Sequence, residues 1–103
     1  MTTDMPRTLK PERYTGAAFA EQEWETVWAR NWLLLNHTNA LEEEGDFFVE
    51  QVGRESIIAV RQGDGSVKCF YNICQHRGNQ LVTTSEGSVD AFTCGYHGWR
   101  WAL

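Results

Sequence analysis

The sequence predicts a mainly β chain, an antiparallel domain preceded by one N-terminal amphipathic helix. Three observations predict it. Apolar residues recur at helical spacing only between about Ala17 and Arg30. Beyond that point the chain breaks into short pieces rich in β-branched and aromatic residues. Gly, Asp and Asn clusters separate those pieces at the intervals expected of hairpins.

Taken in order, residues 1–14 read as an arm. In the helix, Ala20, Trp24, Val27 and Trp28 fall at i, i+4, i+7 and i+8, the stripe of a helix with one buried face, and Thr15 stands where an N-cap is expected. Its tryptophans are read as packing residues. Four strands follow, at Asn31 to Asn36, Asp46 to Val52, Glu55 to Arg61 and Val67 to Asn72. A further strand begins within Trp99 to Leu103. Gly53-Arg54 and Gln62-Gly63-Asp64-Gly65-Ser66 are read as hairpin turns, because Gly and Asp tolerate positive φ. The acidic run Glu42-Glu43-Glu44 is read as a solvated loop leading into a strand.

At 103 residues the chain is one domain's worth at most, and at this size folding removes only about 60 to 68% of the unfolded surface from water. A content of 42% hydrophobic and 22% charged residues is that of a globular chain. The net charge of -5 argues against nucleic acid and anionic membranes as partners. The first fifteen residues carry charges and both prolines where a secretory signal needs an apolar run, so the expected compartment is cytoplasmic. Apolar runs such as Trp32 to Leu35 and Ile57 to Val60 are far too short to span a membrane. Three cysteines, an odd number without an export signal, favour metal or redox chemistry over a disulfide framework.

The chemistry concentrates in Cys74-Gln75-His76-Arg77-Gly78 and Cys94-Gly95-Tyr96-His97-Gly98-Trp99, separated by seventeen residues between His76 and Cys94. Each segment offers one thiolate and one imidazole from a glycine-containing turn, so two such turns side by side can supply four metal ligands. A Cys2His2 zinc finger places both cysteines in one turn and both histidines on one helix, which differs from this mixing. A plant-type ferredoxin needs C-x4-C-x2-C; Cys69 and Cys74 have the first spacing, but the next required position is Arg77. Mixed pairs suit a [2Fe-2S] cluster whose two irons differ in their ligands.

The pattern C-x-H, seventeen residues, C-x2-H resembles the Rieske signature. The fuller CQHRG and CGYHGW are similar to those of Rieske non-haem iron oxygenases. The stretch from Tyr14 through Phe19, Glu23, Trp28 and Trp32 to Gly45-Asp46 resembles the preamble of the large (α) subunit of aromatic ring-hydroxylating dioxygenases and related demethylating monooxygenases. The resemblance covers nearly the whole chain and implies a Rieske-type antiparallel β domain over 37–103, with an arm over 1–14 and a helix and first strand over 15–36. It implies that Cys74 and Cys94 bind one iron of a [2Fe-2S] cluster and His76 and His97 the other. The histidines would lie nearest the surface, and their protons would couple electron transfer to pH. Electrons would come from a ferredoxin or flavin reductase and pass to a mononuclear iron, across a subunit boundary in a trimer. Respiratory members of the class have an extra cysteine in each loop and a serine after the second His-Gly; here Asn79, Tyr96 and Trp99 stand in those surroundings. With fewer donors to the sulfurs, the expected potential lies near the low end of the class, about -150 mV.

A mononuclear iron site takes two histidines and a carboxylate. With His76 and His97 committed, only His37 is left, so the catalytic Fe(II) is expected outside this sequence, and the strand beginning at Trp99 reads as cut short. Two other readings share the ligands: a free-standing Rieske ferredoxin, and a structural zinc module. Among the remaining residues, Gly78 and Gly98 are read as turn glycines or as points of close backbone approach, and Trp99 as a shield for the cluster. Cys69 is read as a buried inert thiol and His37 as a surface histidine.

Overall fold

The computed structural model describes residues 8–103. The chain divides into two compact units, one up to Leu34 and one from Leu35 to Leu103.

In the first unit, α1 (Glu12–Thr15) and α2 (Ala17–Thr26) are followed by a 3-10 turn at Trp28–Arg30. The single helix expected from Ala17 to Arg30 is therefore shorter, and a second helical turn precedes it inside the expected arm. The first seven residues of that arm lie outside the described residues. Gly16 makes the break: its extended backbone (φ -77, ψ 127) ends α1 and caps α2 without a side-chain hydrogen bond. Thr15 is not the N-cap. It closes α1, and its hydroxyl donates to Pro11 O at 3.3 Å. The strand expected at Asn31 to Asn36 does not form; the segment is irregular, with Trp32 and Leu34 exposed. β-rich composition makes a strand only where a neighbour pairs with it.

The second unit is built on a four-stranded antiparallel sheet in the order β3-β2-β1-β4. β1 (Asp46–Val52) and β2 (Glu55–Arg61) occupy the expected residues, and β3 (Val67–Tyr71) ends one residue early. β4 (Glu86–Ser88) and β5 (Ala91–Thr93) had no signal in the sequence, and β6 (Arg100–Ala102) pairs with β5 in a second sheet. Phe47 pairs with Val60 and Phe48 with Ala59, so successive residues face opposite sides. Phe47, Ile58 and Val60 form one core with Val82 and Phe92, while Phe48 and Ala59 form another with Leu41. Covering both faces explains why these strands read as near-continuous apolar runs. Phe92 meets Phe47 edge to face at 5.5 Å and so fastens the small sheet to the large one.

The turns follow their residues. Gly53 (φ 61) and Gly65 (φ 86) adopt the left-handed conformation that the hairpins need, and Asp64 accepts from the Ser66 backbone at 2.9 Å. Glu42, Glu43 and Glu44 are exposed, as expected of a solvated loop. Cys69 corrects its expectation: it is exposed. β3 is an edge strand, and Cys69 opens with Phe70 and Trp101 onto an apolar groove of about 620 Å³. No helix among the described residues is long and apolar enough to cross a membrane.

Candidate metal centre

The two Cys/His segments form the same turn twice. In the first, Cys74 N–H donates to Asn79 O at 2.6 Å and Gly78 N–H donates to Cys74 O at 2.8 Å. In the second, Cys94 N–H donates to Trp99 O at 2.8 Å and Gly98 N–H to Cys94 O at 2.9 Å. Each turn thus runs from cysteine to a glycine four residues on, and both glycines are left-handed, at φ 78 and φ 74. A Cβ added at either would meet no protein atom within 4 Å, so turn conformation, not close packing against the protein, selects glycine there. Within this shared frame the histidine sits two residues after Cys74 and three after Cys94.

The scaffold holds both turns at one end. The first leaves the end of β3, where Asn72 forms a clasp: its side chain accepts from Val82 N at 2.9 Å and donates to Val82 O at 2.8 Å and to Ser56 Oγ at 3.1 Å. Asn72 is buried, and these bonds satisfy its amide as burial requires. The second turn links β5 to β6.

The four candidate ligands come together in two kinds. Cys74 and Cys94 are buried, 2% and 3% exposed, and the Cys94 thiol lies within hydrogen-bonding reach of Cys74. Burial raises the Cys74 pKa, but the His76 backbone N–H, the Cys94 side chain, the Trp101 indole and the Arg77 backbone N–H outweigh it, and the net shift is downward. Donors gathered on a sulfur in this way favour a thiolate, the form that binds metal. His76 and His97 are exposed, with ring centroids 4.8 Å apart.

Aromatic rings frame the imidazoles. Trp99 stacks on His76 at 4.0 Å with an interplanar angle of 7°, and Tyr96 lies against His97 at 3.9 Å. Trp99 is 46% exposed, so it covers one imidazole and does not seal the site from water. The Arg77 guanidinium lies 5.9 Å from the Tyr96 ring and puts positive charge on this rim. His37 has a different role: exposed, it caps the 3-10 turn Thr38–Ala40 and accepts from Asn39 N at 3.1 Å.

The residues fit a two-iron cluster better than a single ion. Among the described residues, no three of His, Cys, Asp and Glu converge as single-ion ligands, whereas each iron of a histidine-ligated [2Fe-2S] centre takes only two protein ligands. A buried indole N–H on Trp101 has no geometrically good hydrogen-bond partner and faces Cys74. Sequence reasoning missed that donor, the shared turn frame and the Asn72 clasp; only the two left-handed glycines hinted at the frame.

Comparisons with known proteins agree with this chemistry. A family model described as Rieske [2Fe-2S] domain matches residues 31–103. The biphenyl dioxygenase α subunit of Metapseudomonas furukawaii is 42% identical over 95 residues, covering 92% of this chain and 21% of that protein. The apo form of a quaternary ammonium Rieske monooxygenase superposes with a TM-score of 0.86 at 32% identity, over 93% of this chain and 28% of that one. Naphthalene 1,2-dioxygenase with indole in its active site gives 0.76 at 40% identity, over 80% and 18%. The chain thus spans about a fifth of the length of the curated relatives it matches.

Proposed function

The chain belongs to the Rieske [2Fe-2S] domain family, and we propose that Cys74, Cys94, His76 and His97 are its cluster ligands, the cysteines on one iron and the histidines on the other. The observation that carries this reading is the segregation of the four side chains, two sulfurs buried together and two imidazoles exposed together. The lack of a three-ligand convergence among the described residues weighs against a structural zinc module, which needs four ligands around one point.

Bound here, a [2Fe-2S] centre supplies a one-electron couple. The chain's own residues arrange access to it. The Cys74 and Cys94 side chains are buried and the imidazoles are exposed, so in a loaded centre electrons would cross at the histidine edge. Trp99 holds the His76 ring by stacking, and Tyr96 lies tilted at 59° against His97. The Arg77 and Tyr96 rim presents a charged and aromatic surface to a protein partner.

The partners proposed are a ferredoxin or flavin reductase as donor and a mononuclear non-haem iron as acceptor, in an oxygenase that hydroxylates aromatic rings or demethylates its substrate. Similarity to both a biphenyl dioxygenase subunit and a quaternary ammonium monooxygenase supports an oxygenase without choosing between them. Three free cysteines suit the reducing cytoplasm, the compartment we propose.

The test is anaerobic reconstitution with iron and sulfide, followed by metal and sulfide analysis and EPR. Two irons and two labile sulfides with the low average g of a histidine-ligated cluster are expected. A colourless protein holding one zinc and refusing iron would overturn the reading.

A further inference from the structure

Trp101 stands on β6, paired with Phe92 of β5, and packs its ring against the core below the two turns. Its indole nitrogen is fully shielded from solvent and lacks a hydrogen-bond partner of good geometry. An indole N–H can only donate, and a buried donor left unpaired is costly. The group it faces is the Cys74 sulfur. A thiolate keeps lone pairs after binding a metal, and it is the acceptor in reach that would satisfy this donor. The other donors on Cys74 are backbone N–H groups of its own turn, from His76 and Arg77, and the Cys94 thiol, which is itself a proposed ligand and gives up its proton to bind metal. Of the side-chain donors named here, Trp101 is the one that is not itself a proposed ligand.

We propose that Trp101 donates its indole N–H to the Cys74 sulfur of the loaded cluster and thereby raises the cluster's reduction potential. The proposal rests on the ligand assignment above. Reduction adds one negative charge to the centre, and a donor fixed beside a ligand sulfur stabilises the reduced form more than the oxidised form. The loops lack the serine of the respiratory class, and the adjoining strand supplies a donor in its place. Because the ring is held by the Phe92 pairing and by Trp99 at 6.0 Å, the donor is in place before the electron arrives.

The experiment compares the cluster-loaded protein with its Trp101→Phe variant, which keeps an aromatic ring and deletes the N–H. In an EPR-monitored redox titration, Trp101→Phe is expected to make the cluster about tenfold harder to reduce, a fall of about 59 mV for one electron. Deuterium exchange should shift the Fe–S(Cys) Raman bands less in Trp101→Phe than in the parent, a difference that mere loosening of the packing does not produce. An unchanged potential in a fully loaded variant overturns the proposal while leaving the ligand assignment standing. Failure of the parent protein to take up a cluster overturns both. If Trp101→Phe does not retain its cluster, pulsed EPR of the Trp99→Phe protein with 15N-labelled indoles decides: a nitrogen coupling to the reduced cluster supports the donor, and its absence overturns it.

Discussion

The sheet and the tip of the second unit are held together by different physics. β1 and β2 pair along their whole length and bury Phe47, Ile58, Val60, Phe48 and Ala59 on two faces, so apolar burial and backbone pairing reinforce each other. The tip buries little besides its two sulfurs. It is shaped by four backbone hydrogen bonds, two left-handed glycines and the Asn72 clasp. The sheet is thus specified by what it hides and the tip by the conformation its turns require. A damaged sheet should lose stability while its surviving folded fraction keeps its function; a damaged tip should do the reverse.

The largest effect expected lies in the tip. Cys74→Ser or Cys94→Ser should abolish the histidine-ligated EPR signal and the bound iron, while far-UV circular dichroism retains the strand signal. Loss of the sheet in either variant would show that the two regions fold as one. In the sheet, Ile58→Ala deletes a side chain with no solvent exposure, and such truncations cost about 2–5 kcal/mol. Denaturant unfolding should show that loss, with the cluster spectrum of the folded fraction unchanged.

Glycine substitutions sharpen the contrast. At Gly45 (φ 87) an added Cβ would overlap the Val89 carbonyl oxygen, so Gly45→Ala combines a left-handed backbone with a clash against the chain just beyond β4. At Gly98 (φ 74) the same change meets open space, and only the conformational penalty of roughly 1–2 kcal/mol applies. Gly45→Ala should therefore lower the thermal midpoint more than Gly98→Ala, which should act on cluster retention.

The smallest effect is electrostatic. Hydrogen bonds from the Glu43 backbone and the Ser88 side chain hold the Asp46 carboxyl below its ordinary value of 3.8. A folded pKa that is depressed favours the folded state above the unfolded value, and the benefit is lost as pH falls through the folded pKa. Stability should therefore drop below about pH 4, and Asp46→Asn should flatten that part of the profile. An unchanged acid limb in the variant would remove Asp46 from the account.

The two regions also differ in how much of them can be read from sequence. β1 and β2 were legible to the residue because their apolar runs are bounded by turn residues. The ligands were legible because Cys and His at short spacing are local chemistry. Features decided by distant partners were not. Glu86–Ser88 carries no strand signal and becomes β4 because β1 has a second edge to pair. Asn31 to Asn36 carries the signal and stays irregular, paired with no strand among the described residues. Cys69 sits in an apolar stretch, yet on the edge strand it faces the groove and not the core. Trp101 is in sequence only part of the last strand, and its place toward Cys74 depends on how β6 packs.

The Asn72 clasp carries a consequence for how such a tip can change. By gripping both the N–H and the C=O of Val82, it closes the chain around residues 73–81 at their base. The sheet therefore registers where that excursion begins and returns; residues 75–80 are exposed, while Leu81 packs back against the core. For a flexible loop, doubling the length costs only about 0.6 kcal/mol of closure entropy. Beside the Cys74–Asn79 turn, the exposed position Gln80 can thus vary or take an insertion to suit a different redox partner without a new scaffold having to be found.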